Sequence, residues 1–247
     1  MEKLISLLND SSRALLFTGA GISTGSGIPD FRGPKGIWKK RKPVYFQDFM
    51  ASEDARVEYW DYKLEGFEQF RDAQPNAAHL ALAELERMGR VNTLVTQNID
   101  GLHQDAGNTN VIELHGTNRE IECTKCGERT PPAPAFEEFK KTKSCPLCSC
   151  GGFLKSATIS FGQAMPETEV ARAFAAAAEA DLAISIGSTL EVQPASLVPL
   201  QVVENGMPYV VINQGETAHD RLATLRLEGD VNKILPDAVA GLREPRG

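Results

Sequence analysis

Short runs of apolar residues, each ended by glycine or a polar turn, recur along the chain and predict buried strands. The clearest runs are 13–18 (RALLFT), 91–96 (VNTLVT), 181–186 (DLAISI) and 208–212 (PYVVI). Between the strands, apolar residues recur at helical spacing, as in residues 77–88, which Gly89 closes. Buried strands that alternate with helices predict a parallel, doubly wound α/β sheet.

Two segments interrupt this alternation. Residues 32–75 are rich in aromatic and charged side chains and are partly helical in pattern, and residues 117–158 carry prolines and every cysteine of the chain. With 247 residues, of which 42% are hydrophobic, the chain can bury the core of one large domain or of a large and a small lobe. We interpret the two segments as insertions into the domain that carries the sheet.

The charge of the chain narrows the choice of partners. A formal net charge of −7 and an isoelectric point of about 5.2 argue against nucleic-acid binding, which normally needs a basic face, but allow a basic protein or peptide partner. The first ten residues, MEKLISLLND, have too short an apolar run for a secretion signal or a membrane span. We therefore predict a cytoplasmic protein that contacts neither membranes nor nucleic acid.

The cysteines are clustered and predict a metal site. Cys123, Cys126, Cys145, Cys148 and Cys150 lie close together, whereas an oxidised secreted protein would spread its disulfides through the fold. Two knuckles of the form C-x-x-C in close succession are typical of structural zinc, and four thiolates would leave no open position for catalysis. One cysteine is then spare, and the spacing leaves open which one.

The loop FTGAGISTGSGIPDFRG at 17–33 follows the first predicted strand. Its GAG at 19–21 resembles the start of the fingerprint G-x-G-x-x-G, in which glycines let backbone N–H groups approach a dinucleotide pyrophosphate. The third glycine and the ribose-binding acid of that fingerprint are missing, so a tight turn without a ligand is an alternative. We expect the second half, IPDFRG at 28–33, to cover the nicotinamide ribose instead.

Two further polar stretches follow predicted strands. TQNIDGLH at 96–103 and VIELHG at 111–116 carry amide, carboxylate and imidazole groups. Ligands of open α/β sheets bind at the carboxyl ends of the strands, and imidazole is suited to proton transfer near neutral pH. Each stretch alone is compatible with a polar turn, but three polar loops on one sheet edge favour a binding site.

These motifs and their order resemble the sirtuin family of NAD-dependent protein-lysine deacylases. The resemblance rests on GAGIS at 19–23, GIPDFRG at 27–33, TQNIDGLH at 96–103, HG at 115–116, the paired cysteines, FG at 161–162, GSTLEVQPA at 187–195 and VIN at 211–213. It covers essentially the whole chain. It implies a Rossmann-like large lobe and a small lobe made of a helical and a zinc-binding insertion. The implied bounds are 1–31, 76–116 and 159–247 for the large lobe, and 32–75 and 117–158 for the small lobe.

The resemblance also implies which residues bind. The implied NAD-binding residues are Gly19, Ala20, Gly21, Asp30, Phe31, Arg32, Gln97, Asn98, Ile99, Asp100, His115, Gly187, Ser188, Asn213 and Val231. The acetylated substrate peptide would insert between two strands that contain Phe161-Gly162 and Glu191-Val192, through backbone hydrogen bonds. The implied ligands of one structural Zn²⁺ are Cys123, Cys126, Cys148 and Cys150, with Cys145 as the alternative to Cys148.

The implied reaction removes an acetyl group from a protein lysine and consumes NAD, giving nicotinamide, O-acetyl-ADP-ribose and free lysine. The implied catalytic residues are Asn98 and Asp100, which would hold the nicotinamide carboxamide, and His115, the general base for a ribose hydroxyl. A mono-ADP-ribosyltransferase with the same NAD site is the alternative. A dehydrogenase and a catalytically silent zinc-ribbon binding protein are disfavoured, because the first gives the zinc module no role and the second has no need of His115.

Several positions bear on substrate preference. Gln163 stands where the family usually has Glu, and Ser160 stands where a bulky residue is common. Aligning Arg56-Val57 with the family places Asp61 and Leu64 where desuccinylating relatives carry Tyr and Arg. An Asp would repel a succinyl carboxylate, and a Leu would leave it unpaired. We therefore predict a deacetylase that rejects succinyl-lysine.

Overall fold

The computed structural model describes residues 1–31, 33, 36–37 and 41–242. Strands are numbered in chain order across two sheets. The main sheet contains β1 (Ala14–Thr18), β2 (Val91–Thr96), β3 (Val111–Glu113), β7 (Leu182–Ile186), β8 (Tyr209–Asn213) and β9 (Leu225–Glu228), and the small sheet contains β4 (Gly116–Cys123), β5 (Arg129–Thr130) and β6 (Leu154–Thr158). Every pairing in the main sheet is parallel, which confirms the predicted doubly wound α/β fold.

Helices cover both faces of the main sheet. One face packs on α1 (Glu2–Asp10), α4 (Ala77–Arg87) and α9 (Val231–Ala240), and the other packs on α7 (Glu167–Glu179) and α8 (Leu197–Glu204). The short α5 (Leu102–Ala106) follows β2. In β1, Leu16 joins the first apolar layer and Phe17 the second, because successive side chains of a strand point to opposite faces. Because β1 is buried on both faces, its sequence is a continuous apolar run rather than an alternation of apolar and polar residues.

The order of the main sheet creates a crevice at its centre. The strands lie in the order β3-β2-β1-β7-β8-β9. The chain therefore adds β2 and β3 on one side of β1, and later adds β7, β8 and β9 on the other side. The loops after β1 and β7 therefore leave in opposite directions at the carboxyl edge. Ligands of doubly wound sheets bind at such a reversal point.

The two insertions fold onto each other. The small antiparallel sheet has the order β5-β4-β6, and it packs against α2 (Phe46–Ala51), α3 (Glu53–Asp72) and α6 (Pro132–Thr142). Trp60 of α3 is fully buried between Phe136 and Phe139 of α6, and its Nε1 donates to Leu154 O of β6 at 3.1 Å. A single aromatic core thus joins the helical insertion to the cysteine-bearing one.

The segment after β1 differs from the sequence-based expectation. Ala20–Ser26 form a 3₁₀ helix where the dinucleotide fingerprint predicts the start of an α-helix. The Gly21 N–H donates to Gly187 O at 2.8 Å, so a contact with the loop after β7 shapes this turn more than local helix propensity does. Across the described ranges, no helix has both the length and the apolar character that a membrane span requires.

Candidate active site

A cleft of about 1750 Å³ opens at the carboxyl edge of the main sheet. Ligand pockets commonly measure about 300–1,000 Å³, so this cleft has room for two ligands. Its lining includes Gly19, Ala20, Gly21, Asp30, Phe31, Gln97, Asn98, Ile99, Asp100, His115, Phe161, Gly162, Gly187, Ser188, Val192, Asn213 and Val231. Of the residues that the resemblance assigns to NAD or peptide, Glu191 lies beside the lining, and Arg32 lies outside the described residues.

The floor of the cleft forms where the loops after β1 and β7 touch. A Cβ on Gly21 would lie 2.8 Å from Gly187 Cα, and a Cβ on Gly19 would lie 2.8 Å from Ser188 Cβ. The Gly19 N–H donates to Ile186 O at 3.0 Å, and the Gly21 N–H is engaged with Gly187. These glycines therefore let two strand ends meet, a role that the fingerprint argument from N–H groups did not include.

A recess beside the floor is built from Ser23, Asn98 and Asp100, all of which are buried. Asn98 Nδ2 donates to Ser23 Oγ at 3.1 Å and to Gly19 O at 3.2 Å, and Ser23 Oγ donates to Asp100 Oδ2 at 2.7 Å. Both amide protons of Asn98 are thus used, which leaves its Oδ1 as an acceptor next to a carboxylate. A recess of acceptors suits an NH₂ group, such as that of the nicotinamide carboxamide.

His115 stands at the passage from β3 to β4, where the chain leaves the main sheet for the small one. Its Nδ1 lies 3.0 Å from Gln97 O. Because a carbonyl oxygen only accepts, Nδ1 carries the proton and Nε2 carries the lone pair. Gln97 is fixed in turn, since its Nε2 donates to Ser188 Oγ at 2.9 Å. The imidazole is held in the tautomer that a general base requires.

The loops after β8 and β9 close the far end of the cleft. Asn213, the last residue of β8, is buried, and its Nδ2 donates to Gln214 O at 3.1 Å and to Gly215 O at 3.2 Å. Val231 opens α9, and the side chain of Asp230 caps that helix by accepting the Asn232 N–H at 2.9 Å. These residues form the part of the cleft farthest along the sheet from β3.

The covering loop is organised around Asp30. Its Oδ1 accepts the Gly33 N–H at 2.7 Å, and its backbone carbonyl accepts the Ile37 N–H at 3.0 Å. Phe31 lines the cleft. In the described part of this loop, Asp30 therefore shapes the backbone.

The predicted peptide-binding residues occupy the rim but lie outside the strands. Phe161 and Gly162 form a turn after β6, and Glu191 and Val192 lie in irregular backbone before α8. The Phe161 carbonyl accepts the Phe46 N–H at 2.9 Å, and Gln47 Nε2 donates to the Gly162 carbonyl at 2.9 Å. The helical insertion thus already satisfies carbonyls that a substrate strand was expected to use.

The positions chosen to judge the acyl group lie outside the lining of the cleft, and the rejection of succinyl-lysine stays a prediction. Asp61 is absent from the lining of the cleft, and its carboxylate pairs with Lys143 at 3.1 Å. Leu64 packs against the aromatic core of the small lobe. Lys63 lines the cleft instead, and its Nζ donates to Asn118 Oδ1 at 2.9 Å. Burial and the nearby Lys155 lower the pKa of Lys63 to about 7.

Four thiols converge beside the small sheet. The sulfur atoms of Cys123, Cys126, Cys148 and Cys150 all lie within 4.8 Å of one another, with Cys123 and Cys150 at 3.5 Å and Cys126 and Cys148 at 3.7 Å. Tetrahedral zinc with Zn–S bonds of about 2.3 Å requires sulfur atoms about 3.8 Å apart. The donor set therefore fits one structural zinc ion.

Cys145 lies apart from this group. It packs against the aromatic core, and its Sγ contacts Leu154 O at 3.6 Å. Burial raises the pKa of its thiol to about 11. A protonated thiol that donates to a carbonyl is a core residue, so Cys145 is the spare cysteine in this arrangement.

Sequence reasoning missed three residues of the site. Ser23 lies inside the GAGIS motif, where its hydroxyl was a usable signal. His103 was noted only as part of a polar stretch, yet it is buried and its Nε2 lies 2.9 Å from Thr18 Oγ1. Lys63 gave no signal, because nothing in the pattern of α3 marks which side faces the cleft.

Comparison with known proteins places this geometry in a family. The model of the Sir2 family matches residues 19–194. A protein of Thermodesulfovibrio yellowstonii named NAD-dependent protein deacetylase is 40% identical over 238 residues, which cover 96% of this chain and 93% of that protein. A protein of the same name from Saccharolobus solfataricus is 42% identical, over 98% of this chain and 97% of that protein.

Solved structures agree along the whole chain. A Sir2 His-to-Ala mutant with a deacetylated peptide and 3′-O-acetyl ADP ribose has a TM-score of 0.92 at 38% identity, over 98% of this chain and 99% of that one. A Sir2 complex with a peptide and NAD⁺ has a TM-score of 0.90 at 36% identity, over 97% of both chains. This chain therefore belongs to the Sir2 family, the sirtuins.

Proposed function

We propose that this chain is an NAD-dependent protein-lysine deacetylase. The observation that carries the proposal is the acceptor recess of Asn98 and Asp100 beside His115, whose Nε2 holds a lone pair, in one cleft. NAD, when bound, supplies an electrophilic ribose carbon and nicotinamide as the leaving group. The residues of the chain then have two tasks, which are to hold the nicotinamide and to take a proton from a ribose hydroxyl.

Asn98 and Asp100 perform the first task. Asn98 Oδ1 and the Asp100 carboxylate would accept the N–H groups of the carboxamide when NAD is bound. The group is then held by charge-assisted hydrogen bonds in a buried recess, where such bonds are stronger than in water. Holding the carboxamide fixes the ring with respect to the ribose and lets the glycosidic bond break in one orientation.

His115 performs the second task. Its Nε2 would take the proton from a ribose hydroxyl of bound NAD and so activate that oxygen toward the acyl carbon, with the lysine amine as the leaving group. The Gln97 carbonyl on Nδ1 stabilises the imidazolium that forms. A positioned general base contributes about 10²–10⁴-fold in rate.

The substrate peptide reaches the acyl site over the rim formed by Phe161, Gly162 and Val192. Sir2 structures with a peptide and NAD⁺ and with an acetylated peptide support a protein or peptide substrate. Backbone pairing along the rim tolerates many sequences. Because Gln47 holds the Gly162 carbonyl, its side chain swings away when a peptide strand adds at that carbonyl.

The zinc ion is structural and takes no part in the reaction. We assign its four ligands to Cys123, Cys126, Cys148 and Cys150, on the distances between their sulfur atoms. Four thiolates fill a tetrahedral shell and leave no position for substrate. The shared aromatic core supports a small lobe made of residues 32–75 and 117–158, with the remaining residues forming the large lobe.

The partner is a protein rather than a nucleic acid or a membrane. The net charge of −7 supports this assignment, since nucleic acids and anionic lipids favour basic surfaces. Free thiols, four of them grouped for a metal, support a cytoplasmic location. Fluorescence imaging of a tagged chain tests the location, and a gel-shift assay with duplex DNA tests the exclusion of nucleic acid.

One incubation decides between deacetylation and the alternative, mono-ADP-ribosyl transfer. The protein is mixed with NAD and one peptide in acetylated and unmodified forms, and products are identified by mass spectrometry. Deacetylation releases nicotinamide only with the acetylated peptide and yields O-acetyl-ADP-ribose. Nicotinamide release with the unmodified peptide, accompanied by a peptide heavier by one ADP-ribose, would assign the alternative instead.

A further inference from the structure

Two histidines lie buried beneath the nicotinamide recess, and neither was needed for the proposed reaction. The rings of His79, on α4, and His103, on α5, are fully buried with centroids 4.9 Å apart. Among the described residues, His79 Nε2 and His103 Nδ1 have no hydrogen-bond partner. Buried polar atoms are seldom left unpaired, so these two adjacent atoms call for a physical explanation.

The proton position of each ring follows from the hydrogen bond that its other nitrogen or its neighbour makes. The Asn76 N–H donates to His79 Nδ1 at 3.3 Å, in a capping box at the start of α4. A backbone N–H can only donate, so His79 carries its own proton on Nε2. The unpaired atom of His79 is therefore a donor. Because Thr18 Oγ1 donates its only proton to Thr96 Oγ1, it accepts from His103 Nε2, which places the His103 proton on Nε2.

The chain of hydrogen bonds continues from His103 to the recess. His103 Nε2 lies 2.9 Å from Thr18 Oγ1, which donates to Thr96 Oγ1 at 2.8 Å. Thr96 Oγ1 in turn accepts the backbone N–H of Asn98 at 3.0 Å. His103 and Thr18 thus donate toward Thr96, whose oxygen accepts from Thr18 on one side and from the Asn98 N–H on the other. The path ends on the residue whose side-chain oxygen faces the carboxamide.

Burial keeps the path in one protonation state. Desolvation lowers the pKa of His79 to about 4, and desolvation together with His79 lowers the pKa of His103 to about 3. Both rings are therefore neutral at neutral pH, and each has one donor and one acceptor. The donor–acceptor order of the path is then fixed.

We propose that His103, supported by His79, is a positioning residue for nicotinamide, acting through Thr18 and Thr96 on the backbone of Asn98. This inference rests on the proposed function, because it concerns the same recess. It adds that side chains which do not contact the ligand set the orientation of Asn98. These side chains act through Thr18 and Thr96, the last residues of β1 and β2.

Thr18 offers a matched pair of variants. Thr18→Val keeps the shape of the side chain and removes the hydroxyl, whereas Thr18→Ser keeps the hydroxyl. We expect the nicotinamide inhibition constant of Thr18→Val to rise about tenfold, the size of one lost hydrogen bond, and that of Thr18→Ser to change less than about threefold. ADP-ribose lacks nicotinamide, so its dissociation constant, measured by calorimetry, stays at the wild-type value in both variants.

His103 offers a second pair that does not depend on Thr18. His103→Gln can place an amide N–H near the position of Nε2, and His103→Phe cannot donate. We expect base exchange with labelled nicotinamide to be weakened in His103→Phe and largely restored in His103→Gln. Melting temperatures are recorded for all variants, and the ligand measurements are made well below the lowest of them.

Two results would overturn the inference. One is equal weakening of nicotinamide and ADP-ribose in Thr18→Val, which would show a general loss of structure. The other is an unchanged nicotinamide constant in both Thr18→Val and His103→Phe. Failure of the proposed function is distinguishable from these, because the wild-type protein would then release no nicotinamide in the presence of NAD and acetylated peptide.

Discussion

The two sheets of the molecule are stabilised in different ways. The main sheet lies between two apolar layers, and strands β1, β7 and β8 are buried along their whole length. In the small sheet, β5 has only two residues, both exposed, and the core beneath the sheet is one cluster of aromatic and small apolar side chains. A core of that size rarely suffices alone, and four thiols that fit a zinc ion lie beside the small sheet. Apolar burial therefore stabilises the large lobe, whereas the small lobe needs both apolar burial and a metal ion.

Removal of zinc should break the small sheet and spare the main one. Structural zinc contributes about 10 kcal/mol or more to the folding of small metal-binding units, so we expect verified metal-free protein to lose deacetylation entirely. Hydrogen exchange would show lost protection in β4 and β6 and retained protection in β1 and β7.

Two cysteine variants distinguish the effect of losing a metal ligand from the effect of losing a core thiol. Cys126→Ala removes a sulfur of the metal group and should reproduce the metal-free behaviour, whereas Cys145→Ala removes only a core thiol and should keep both zinc and activity. Undiminished turnover in metal-free protein would contradict the comparison.

A substitution of His115, at the junction of the two sheets, should leave both sheets folded. His115→Ala should lower the deacetylation rate by about 10²–10⁴-fold, because a general base is lost, while the melting temperature stays near the wild-type value. NAD affinity, measured by calorimetry, should change little, since the imidazole acts after binding. A loss of affinity as large as the loss of rate would show that His115 holds NAD instead.

Acid should destabilise the large lobe through two buried histidines. His103 contacts Thr18 of β1, and the ring of His79 lies beside that of His103. Burial lowers the pKa of His79 to about 4 and that of His103 to about 3, below their unfolded value of about 6.5. Because the unfolded chain binds these protons first, the stability from the two neutral rings is full above pH 6.5 and declines as the pH falls. At pH 5 the loss is about 2 kcal/mol for each ring.

Urea unfolding at pH 7 and pH 5 measures this loss. His103→Gln should make the unfolding free energy less dependent on pH across that interval, because one titrating ring is removed. An equal dependence in wild type and variant would exclude His103 as a source of the acid sensitivity.

The smallest effect concerns Lys63, where the two lobes face each other. Its amino group lines the cleft and contacts two neutral oxygens, Asn118 Oδ1 at 2.9 Å and Thr158 Oγ1 at 3.4 Å. With a pKa of about 7 this group is partly protonated at neutral pH, and a carboxylate beside it favours the protonated form. Lys63→Met removes the group, so we expect kcat/KM for succinyl-lysine relative to acetyl-lysine to fall several-fold, about 3–10-fold. Lys63→Arg keeps the charge and serves as the control. An unchanged ratio in Lys63→Met would show that acyl chains end short of Lys63.

Sequence reasoning succeeded where the signal is local. Apolar runs mark the buried strands, the clustering of cysteines marks the metal site, and the order of the motifs marks the family. Fold class and family are confirmed on that basis.

It failed where the signal depends on tertiary contact. The role of Gly21 depends on Gly187, more than 160 residues away, and no local pattern encodes that approach. In α3, Lys63 and Leu64 are successive residues, so their side chains point in directions about 100° apart around the helix axis. An alignment anchored only at Arg56-Val57 could not fix that rotation.

The order of the main sheet also has a consequence for biosynthesis. The central strand β1 is translated early, but its second neighbour, β7, follows only after about 160 residues, which the ribosome adds in roughly 10–30 s at about 5–20 residues per second. During that interval the nascent chain can pair β1 with β2 alone, so one apolar strand edge stays uncovered. The yield of folded protein in the cell therefore depends on how well that edge is shielded until the last third of the chain emerges.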